Sequence, residues 1–395
     1  MNLLGIVIIL ITLLSSCNSS STLPPVPGDI DQNATDLIYI NVQTSQTHYI
    51  HSLQKASGAI KDTEASNSKI CPYFANFACK ALLKNPTIEN ITVVKKYMQW
   101  YMSKLNGTLN PISGKPEIAG SVYDYYGETE TTRGEYDSVD SYAATFLTLA
   151  MEFASTSETN KTWLSQFDDK LNLIASALEK CLDTESNTMP GILSTDNNNY
   201  LSVASHEYDV KYLMDNCEVN EGLKAAQWLK KNELITISNF DFDYLANKNS
   251  ASIETALWRE TTNAYNPYDN GSNNSITNWD VFYPDATSQL YPMLFGILDP
   301  TSVRAKTLYT QFNNNYPAWS SGQVYSGTYP WAILVYAAAI INDKTRVEEY
   351  IKHINTYNIK NAQKDYWYSL EAAFTLMAIH KIKNNGNTSV YSPIL

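Results

Sequence analysis

Aspartates recur just ahead of the most apolar runs of this chain. Asp137 and Asp140 stand in Tyr136-Asp137-Ser138-Val139-Asp140-Ser141, which leads into Tyr142–Met151. Asp285 closes Trp279-Asp280-Val281-Phe282-Tyr283-Pro284-Asp285 and leads into the run from Ala286 to Leu298. Two carboxyl groups facing one cleft can cleave a glycosidic bond, one protonating the leaving oxygen and the other activating water or attacking the sugar. The acid needs a raised pKa and its partner an ordinary or low one. Asp285, following Pro284, is placed in a first helical turn, where the helix dipole holds a carboxylate ionised and suits it as the base. Asp140 beside Asp137 or Asp124 is raised by like charge and suits the acid. Taken singly, each aspartate also reads as a plain helix cap. The shared grammar of the two segments, aromatic residues and more than one carboxylate before an apolar run, favours chemistry.

A third cluster, Asp215, Glu218 and Glu221, has three-residue spacing and shares one helix face. It reads as a solvated acidic face, with Glu218 as a reserve acid because Met214 and Cys217 lie between. The aromatic residues of the two polar segments, Tyr123, Tyr125, Tyr126, Tyr136, Tyr265, Tyr268, Trp279, Phe282 and Tyr283, offer flat faces and hydroxyl groups suited to sugar rings. Trp100, Trp258, Arg259 and Gln289 complete the candidate substrate-binding set. The five histidines form no zinc motif, and no phosphate loop, dinucleotide fingerprint or Ser-His-Asp elbow occurs, so no metal or cofactor is expected.

These residues must be positioned by helices. Candidate spans cover 33–55, 73–84, 87–104, 141–156, 160–182, 209–232, 236–258, 285–297, 301–314, 329–342, 344–357 and 366–383, and no sustained strand alternation appears. The helices are of two kinds. The span after Asn160 puts Trp163, Leu164, Phe167, Leu171, Ile174, Leu178 and Cys181 on one face. By contrast Tyr142–Met151, Trp331–Ile341 and Ala286–Leu298 are apolar nearly all round, which predicts burial on every side. Twelve helices alternating between the two kinds predict an all-α fold, an (α/α)6 toroid of six hairpins. A hairpin solenoid is the rival, but no fixed repeat period supports it.

Composition narrows the partners. Among 395 residues, 44% are hydrophobic and 17% charged, which excludes a disordered chain. The net charge of −12 excludes nucleic acid as a partner and favours neutral over anionic glycans. Tyrosine is abundant at 28 residues, more than a core needs, and suits a wet surface presenting apolar faces with hydroxyls. Residues 1–16 read as a signal peptide whose n-region lacks Lys and Arg. Leu14-Ser15-Ser16-Cys17 resembles a bacterial lipobox, which makes Cys17 the lipidated residue, 17–31 a flexible tether and 32–395 one toroid domain. A monomer held to the bilayer through Cys17 alone, in the bacterial cell envelope on the periplasmic face or cell surface, is expected. Cys71, Cys79, Cys181 and Cys217 permit two disulfides without specifying any.

The elements Pro72-Tyr73-Phe74-Ala75-Asn76, Trp100-Tyr101, Asp137-Ser-Val-Asp140-Ser-Tyr-Ala-Ala-Thr-Phe146 and Phe282-Tyr-Pro-Asp285-Ala-Thr-Ser-Gln289-Leu290 resemble bacterial lipoproteins of the six-hairpin glycosidase-like superfamily. The resemblance runs over most of residues 33–383. It implies the toroid, with a site at its mouth near the N-termini of the inner helices. It does not select a reaction, because hydrolases, phosphorylases and lyases share this toroid. A glycoside hydrolase-like protein is expected. The alternatives are a non-catalytic glycan-binding lipoprotein and a lyase acting on a uronic acid, which needs cations that the loops supply only as Arg133 and Arg259.

Overall fold

The computed structural model describes residues 27–107, 118–132, 138–185, 198–205, 210–269, 276–327, 329–361 and 366–384. Its helices, in chain order, are α1 (Pro27–Leu53), α2 (Pro72–Leu82), α3 (Ile88–Ser103), α4 (Val139–Ser155), α5 (Glu158–Leu164), α6 (Asp168–Lys180), α7 (Leu213–Lys231), α8 (Phe242–Ser252), α9 (Tyr291–Leu294), α10 (Val303–Asn315), α11 (Ile333–Ile340), α12 (Lys344–Asn361) and α13 (Ser369–Asn384). The sequence and hydrophobic pattern sort them as expected. In α4 nearly every residue from Val139 to Ala154 is buried, whereas α6 buries Leu171, Ile174, Ala175, Ala177, Leu178 and Glu179 along one side. An all-round apolar helix can only sit inside, and a one-sided one only on the outside.

The inner helices pack in the order α2, α4, α7, α9, α11, α13, and α13 packs on α2 again. That last contact decides between toroid and solenoid, because a solenoid leaves its first and last hairpins apart. Outside, α3 lies on α2, α5 and α6 on α4, α8 on α7, α12 on α11, and α1 on α13. The seam is polar as well as apolar: Trp367 Nε1 donates to Gln46 Oε1 at 2.6 Å, Tyr49 Oη donates to the Trp367 carbonyl, and Lys383 Nζ donates to Gln43 Oε1 at 3.3 Å. Gly222 lets α4 and α7 approach closely, since a Cβ there would stand 2.5 Å from the Ala144 Cβ.

Three differences from the expected helices have local causes. The span 160–182 is interrupted by a 3₁₀ turn at Ser165–Phe167, which joins α5 to α6. The chain is already helical from Pro27, within the stretch read as tether, and proline suits a first helical turn. The expected helix 285–297 is replaced by a wide turn at Phe282–Ala286, in which Tyr283 is extended, followed by the short α9. Pro284 and Pro292 each remove a backbone donor there, so a regular ladder cannot run through.

The two long polar segments are pinned by short antiparallel pairs. Lys69–Ile70 pairs with Tyr125–Tyr126, Lys211–Tyr212 with Tyr268–Asp269, and Trp258–Arg259 with Ala264–Tyr265. The described cysteines are all buried and unbridged. Among the described residues no helix is long and apolar enough to cross a membrane.

Candidate functional site

The first turns of the inner helices meet at one end of the ring. Tyr73, in the first turn of α2, donates from its hydroxyl to Glu218 Oε1 of α7 at 2.5 Å. Its ring lies 6.3 Å from that of Tyr142 in the first turn of α4. Glu218 is 2% exposed, so the expected solvated acidic face is not formed there. Burial is the main reason that its carboxyl is pushed up to about 8, and the neighbouring Asp140 adds to the rise. The Tyr73 hydroxyl, the nearby Ser141 and the more distant Lys80 oppose it without prevailing. The Ser141 hydroxyl itself makes no hydrogen bond of good geometry. Glu218 is therefore a neutral acid at pH 7.

Asp140 is fully buried beside it. Its carboxyl accepts from Ser138 Oγ at 2.6 Å, the Ser141 backbone N–H at 2.7 Å and Ser202 Oγ at 2.6 Å. Burial still raises it to about 6 against those bonds. The direction is the one expected, but the cause is desolvation rather than a second aspartate. Asp124 is 4% exposed and spent elsewhere: Lys69 Nζ meets Oδ2 at 2.7 Å and Tyr142 Oη donates to Oδ1 at 2.8 Å. Asp137 and Cys17 lie outside the described residues.

The charge of Asp140 reaches Glu218, whereas Asp285 is engaged in its own loop. Asp285 sits in the wide turn before α9, half-buried, where Oδ1 accepts from the Asn278 N–H at 2.7 Å. It braces the loop instead of opening a regular helix. Gln289 is also a brace, being 1% exposed. Its Oε1 accepts from the Tyr265 N–H and its Nε2 donates to the Tyr265 carbonyl, both at 2.8 Å. Both ends of the amide are used, which leaves no group for a sugar.

Several aromatic candidates are likewise absorbed by packing. Trp100 and Tyr125 are 4% and 6% exposed and stand edge to face at 5.3 Å, and Tyr123 is buried with them. Trp258 carries the Arg304 guanidinium over its ring at 4.1 Å, and Arg259 Nη1 donates to the Trp258 carbonyl at 3.1 Å. Trp279 is half-buried and packs against the core, and its carbonyl accepts from Tyr316 Oη at 2.8 Å. Among the described sequence candidates, Tyr283 and Tyr126 stay open, at 49% and 48% exposure.

Tyr283 belongs to a rim that the sequence reading missed. Ring contacts lead from Tyr73 to Phe74 at 6.1 Å, to Tyr368 at 5.8 Å, to Tyr329 at 4.7 Å, to Trp331 at 6.2 Å and to Tyr283 at 5.1 Å. Tyr291, at the start of α9, lies in the fields of Tyr283, Glu218 and Asp215 and neighbours Tyr73, which closes the circuit. Most rim residues flank the starts of inner helices, and that shared position is the signal by which they could have been found. Glu371 of α13 supports the rim from below. Its Oε2 accepts from the Ala332 N–H at 2.5 Å, and burial pushes its carboxyl up to about 7 despite bonds from the backbone of Ala332 and Trp331. Among the described residues no cluster of three or more His, Cys, Asp or Glu side chains is arranged to hold a metal ion.

No protein-family model matches the chain, and no curated protein sequence matches it. Solved structures do. A glycosidase superposes with a TM-score of 0.60 at 10% identity, covering 89% of this chain and 99% of its own. An inactive variant of alpha-1,6-mannanase GH76A from Salegentibacter sp. HEL1_6, with two consecutive aspartates replaced and in complex with alpha-1,6-mannotetrose, gives 0.54 at 8% identity over 88% and 98%. A beta-1,3-1,4-glucanase from Paenibacillus sp. X4 gives 0.54 at 11% identity over 89% and 93%. At these identities the likeness speaks for architecture alone: the chain shares the all-α toroid of these glycosidases.

Proposed function

We propose that the protein is an exported, lipid-anchored glycoside hydrolase acting on a neutral oligo- or polysaccharide, with Glu218 as the proton donor. The observation that carries this reading is a neutral carboxyl, hydrogen-bonded by Tyr73, beneath an aromatic rim at the mouth of the ring. A carboxylic acid that keeps its proton at pH 7 can deliver it to a departing glycosidic oxygen. Asp215 is the partner carboxylate. It stands one turn earlier on the same face of α7, is half-buried, and its charge reaches both Tyr73 and Tyr291. Asp140, saturated by three donors, holds the floor of the site rather than activating water. Because Tyr73 covers Glu218, its ring must give way before the acid reaches a substrate oxygen.

A neutral substrate fits the rim, whose members are Tyr, Trp and Phe, and fits the net charge of −12. The lyase reading weakens, because Arg259, one of the two cations it would need, is engaged with the Trp258 carbonyl. The second reading is a glycan binder that does not cut. It is favoured by one observation, that Asp140 and Asp285 are both committed to local hydrogen bonds.

The test is reducing-sugar release from a panel of neutral polysaccharides that includes alpha-1,6-mannan and beta-1,3-1,4-glucan, the substrate types named for two structural neighbours. Binding is measured in parallel with wild type and Glu218→Gln. Release by wild type that falls at least a hundredfold in Glu218→Gln, with binding kept, supports hydrolysis. Binding without release by either protein supports the binder, and neither binding nor release overturns both. Anchoring through Cys17 is checked by fatty-acid labelling, which Cys17→Ala should abolish.

A further inference from the structure

Trp331 differs from the other members of the rim in its backbone. Its φ is 56°, in the left-handed region that a bulky residue enters only where its surroundings impose it. Those surroundings are specific. Helix α11 begins at Ile333 with no side-chain cap of its own. Glu371, in the first turn of the adjacent inner helix α13, supplies the cap from outside: its carboxyl accepts from the N–H of Ala332, the residue next to Trp331, at 2.5 Å. The indole is then fixed by its own donor, since Nε1 reaches the Ser326 carbonyl at 3.2 Å. Phe282 supports the ring edge to face at 5.2 Å. Beside it stand Tyr283 at 5.1 Å and Tyr329 at 6.2 Å, 49% and 38% exposed.

A half-buried indole, held in a strained backbone by an acid from another helix and placed between two exposed tyrosines, is a preorganised apolar surface with hydroxyls at its margins. Rigid aromatic faces bind with little loss of side-chain freedom. We infer that Trp331, with Tyr283 and Tyr329, is the platform on which a pyranose ring of a neutral glycan stacks, and that Glu371 is a positioning residue acting through Trp331. This rests on the glycan reading proposed above, but not on whether the glycan is cut.

The experiment measures binding of neutral tetrasaccharides of mannose, glucose and xylose by calorimetry. Near-ultraviolet circular dichroism and intrinsic fluorescence report on the indole. Four proteins are compared: wild type, Trp331→Ala, Glu371→Ala and Glu371→Gln. Trp331→Ala should weaken Kd about tenfold or more and remove most of the fluorescence change on binding. Glu371→Ala frees the Ala332 N–H beside Trp331, so it should lose the Trp331 dichroic band and weaken binding to a similar extent. Glu371→Gln keeps a carbonyl acceptor and should retain the band, with Kd within about threefold of wild type. A merely structural role for Glu371 would lower the melting temperature without this split between Ala and Gln. If a tetrasaccharide binds wild type and Trp331→Ala equally, the inference falls and the glycan reading stands. If Trp331→Ala weakens binding but both Glu371 variants match wild type, the positioning role falls. If wild type binds none of the three sugars, both fall. Trp331→Ala decides the platform even where Glu371→Ala fails to fold.

Discussion

The two ends of the inner ring handle their acids in opposite ways. At the mouth, Glu218 meets a tyrosine hydroxyl, and burial keeps it neutral up to about pH 8. One turn further along α7, Glu221 meets Lys80 at 3.0 Å, and Lys80 also lies 3.9 Å from Glu152 of α4. Burial pushes Glu152 up as well, but Lys84 at 2.7 Å and Lys80 outweigh it and hold its carboxyl below the ordinary range. Helix dipoles alone would give the reverse, stabilising carboxylates at the N-terminal mouth. Here desolvation wins at the mouth and ion pairing wins below it. An acid left without a cation keeps a transferable proton, whereas a paired one is a fastening.

The largest test of this contrast is pH. Glu218 has a folded value near 8 against an ordinary 4.5, so its contribution to stability is complete below 4.5 and is lost as pH rises towards 8. Asp140 and Glu371, raised to about 6 and 7, act with the same sign. In urea titrations wild type should lose on the order of 3–4 kcal/mol between about pH 5 and 9 from Glu218 alone, and Glu218→Gln should flatten that fall. An unchanged slope in the variant would break the contrast. Next in size is Lys80→Met, which strips the base of its central cation and should cost about 3 kcal/mol at neutral pH. The sign with pH is opposite there. The stability owed to Glu152 is present above its ordinary 4.5 and is lost in acid, so this variant should also show a shallower acid limb. The smallest effect is that of Tyr73→Phe, about 1 kcal/mol. Removing a donor that favours ionised Glu218 should also move its midpoint further up, readable as an alkaline shift in the pH profile of sugar release.

The architecture was legible because it depends on patterns carried within single helices. All-round burial of Tyr142–Ala150 and one-sided burial of Leu171–Leu178 can be read from spacing alone, and they separate inner from outer positions. The site was legible only in pieces. The spacing of Asp215, Glu218 and Glu221 showed a shared face but not that the face turns inward. That is decided by which helices close the ring. Asp285 misled because two prolines, Pro284 and Pro292, replace the expected helix with a wide turn. Trp100 and Tyr125 have the composition of a sugar contact, but they pack against each other beneath Lys104. Trp331 and Tyr73 gain their place from neighbours far away in sequence, Glu371 and Glu218, and no local window contains that information.

The seam that α13 makes with α1 and α2 sets the order in which the molecule can be completed. The bond between Gln46 and Trp367 joins residues 321 positions apart, so nearly the whole chain must be released before it forms. Contacts of such separation carry the greatest loop-closure cost and come late in folding. Tyr368 and Glu371, next to that seam, complete the rim and brace Trp331. A chain cut short before α13 could therefore stack most of its hairpins and still have no mouth. The working end and the finished protein arrive together.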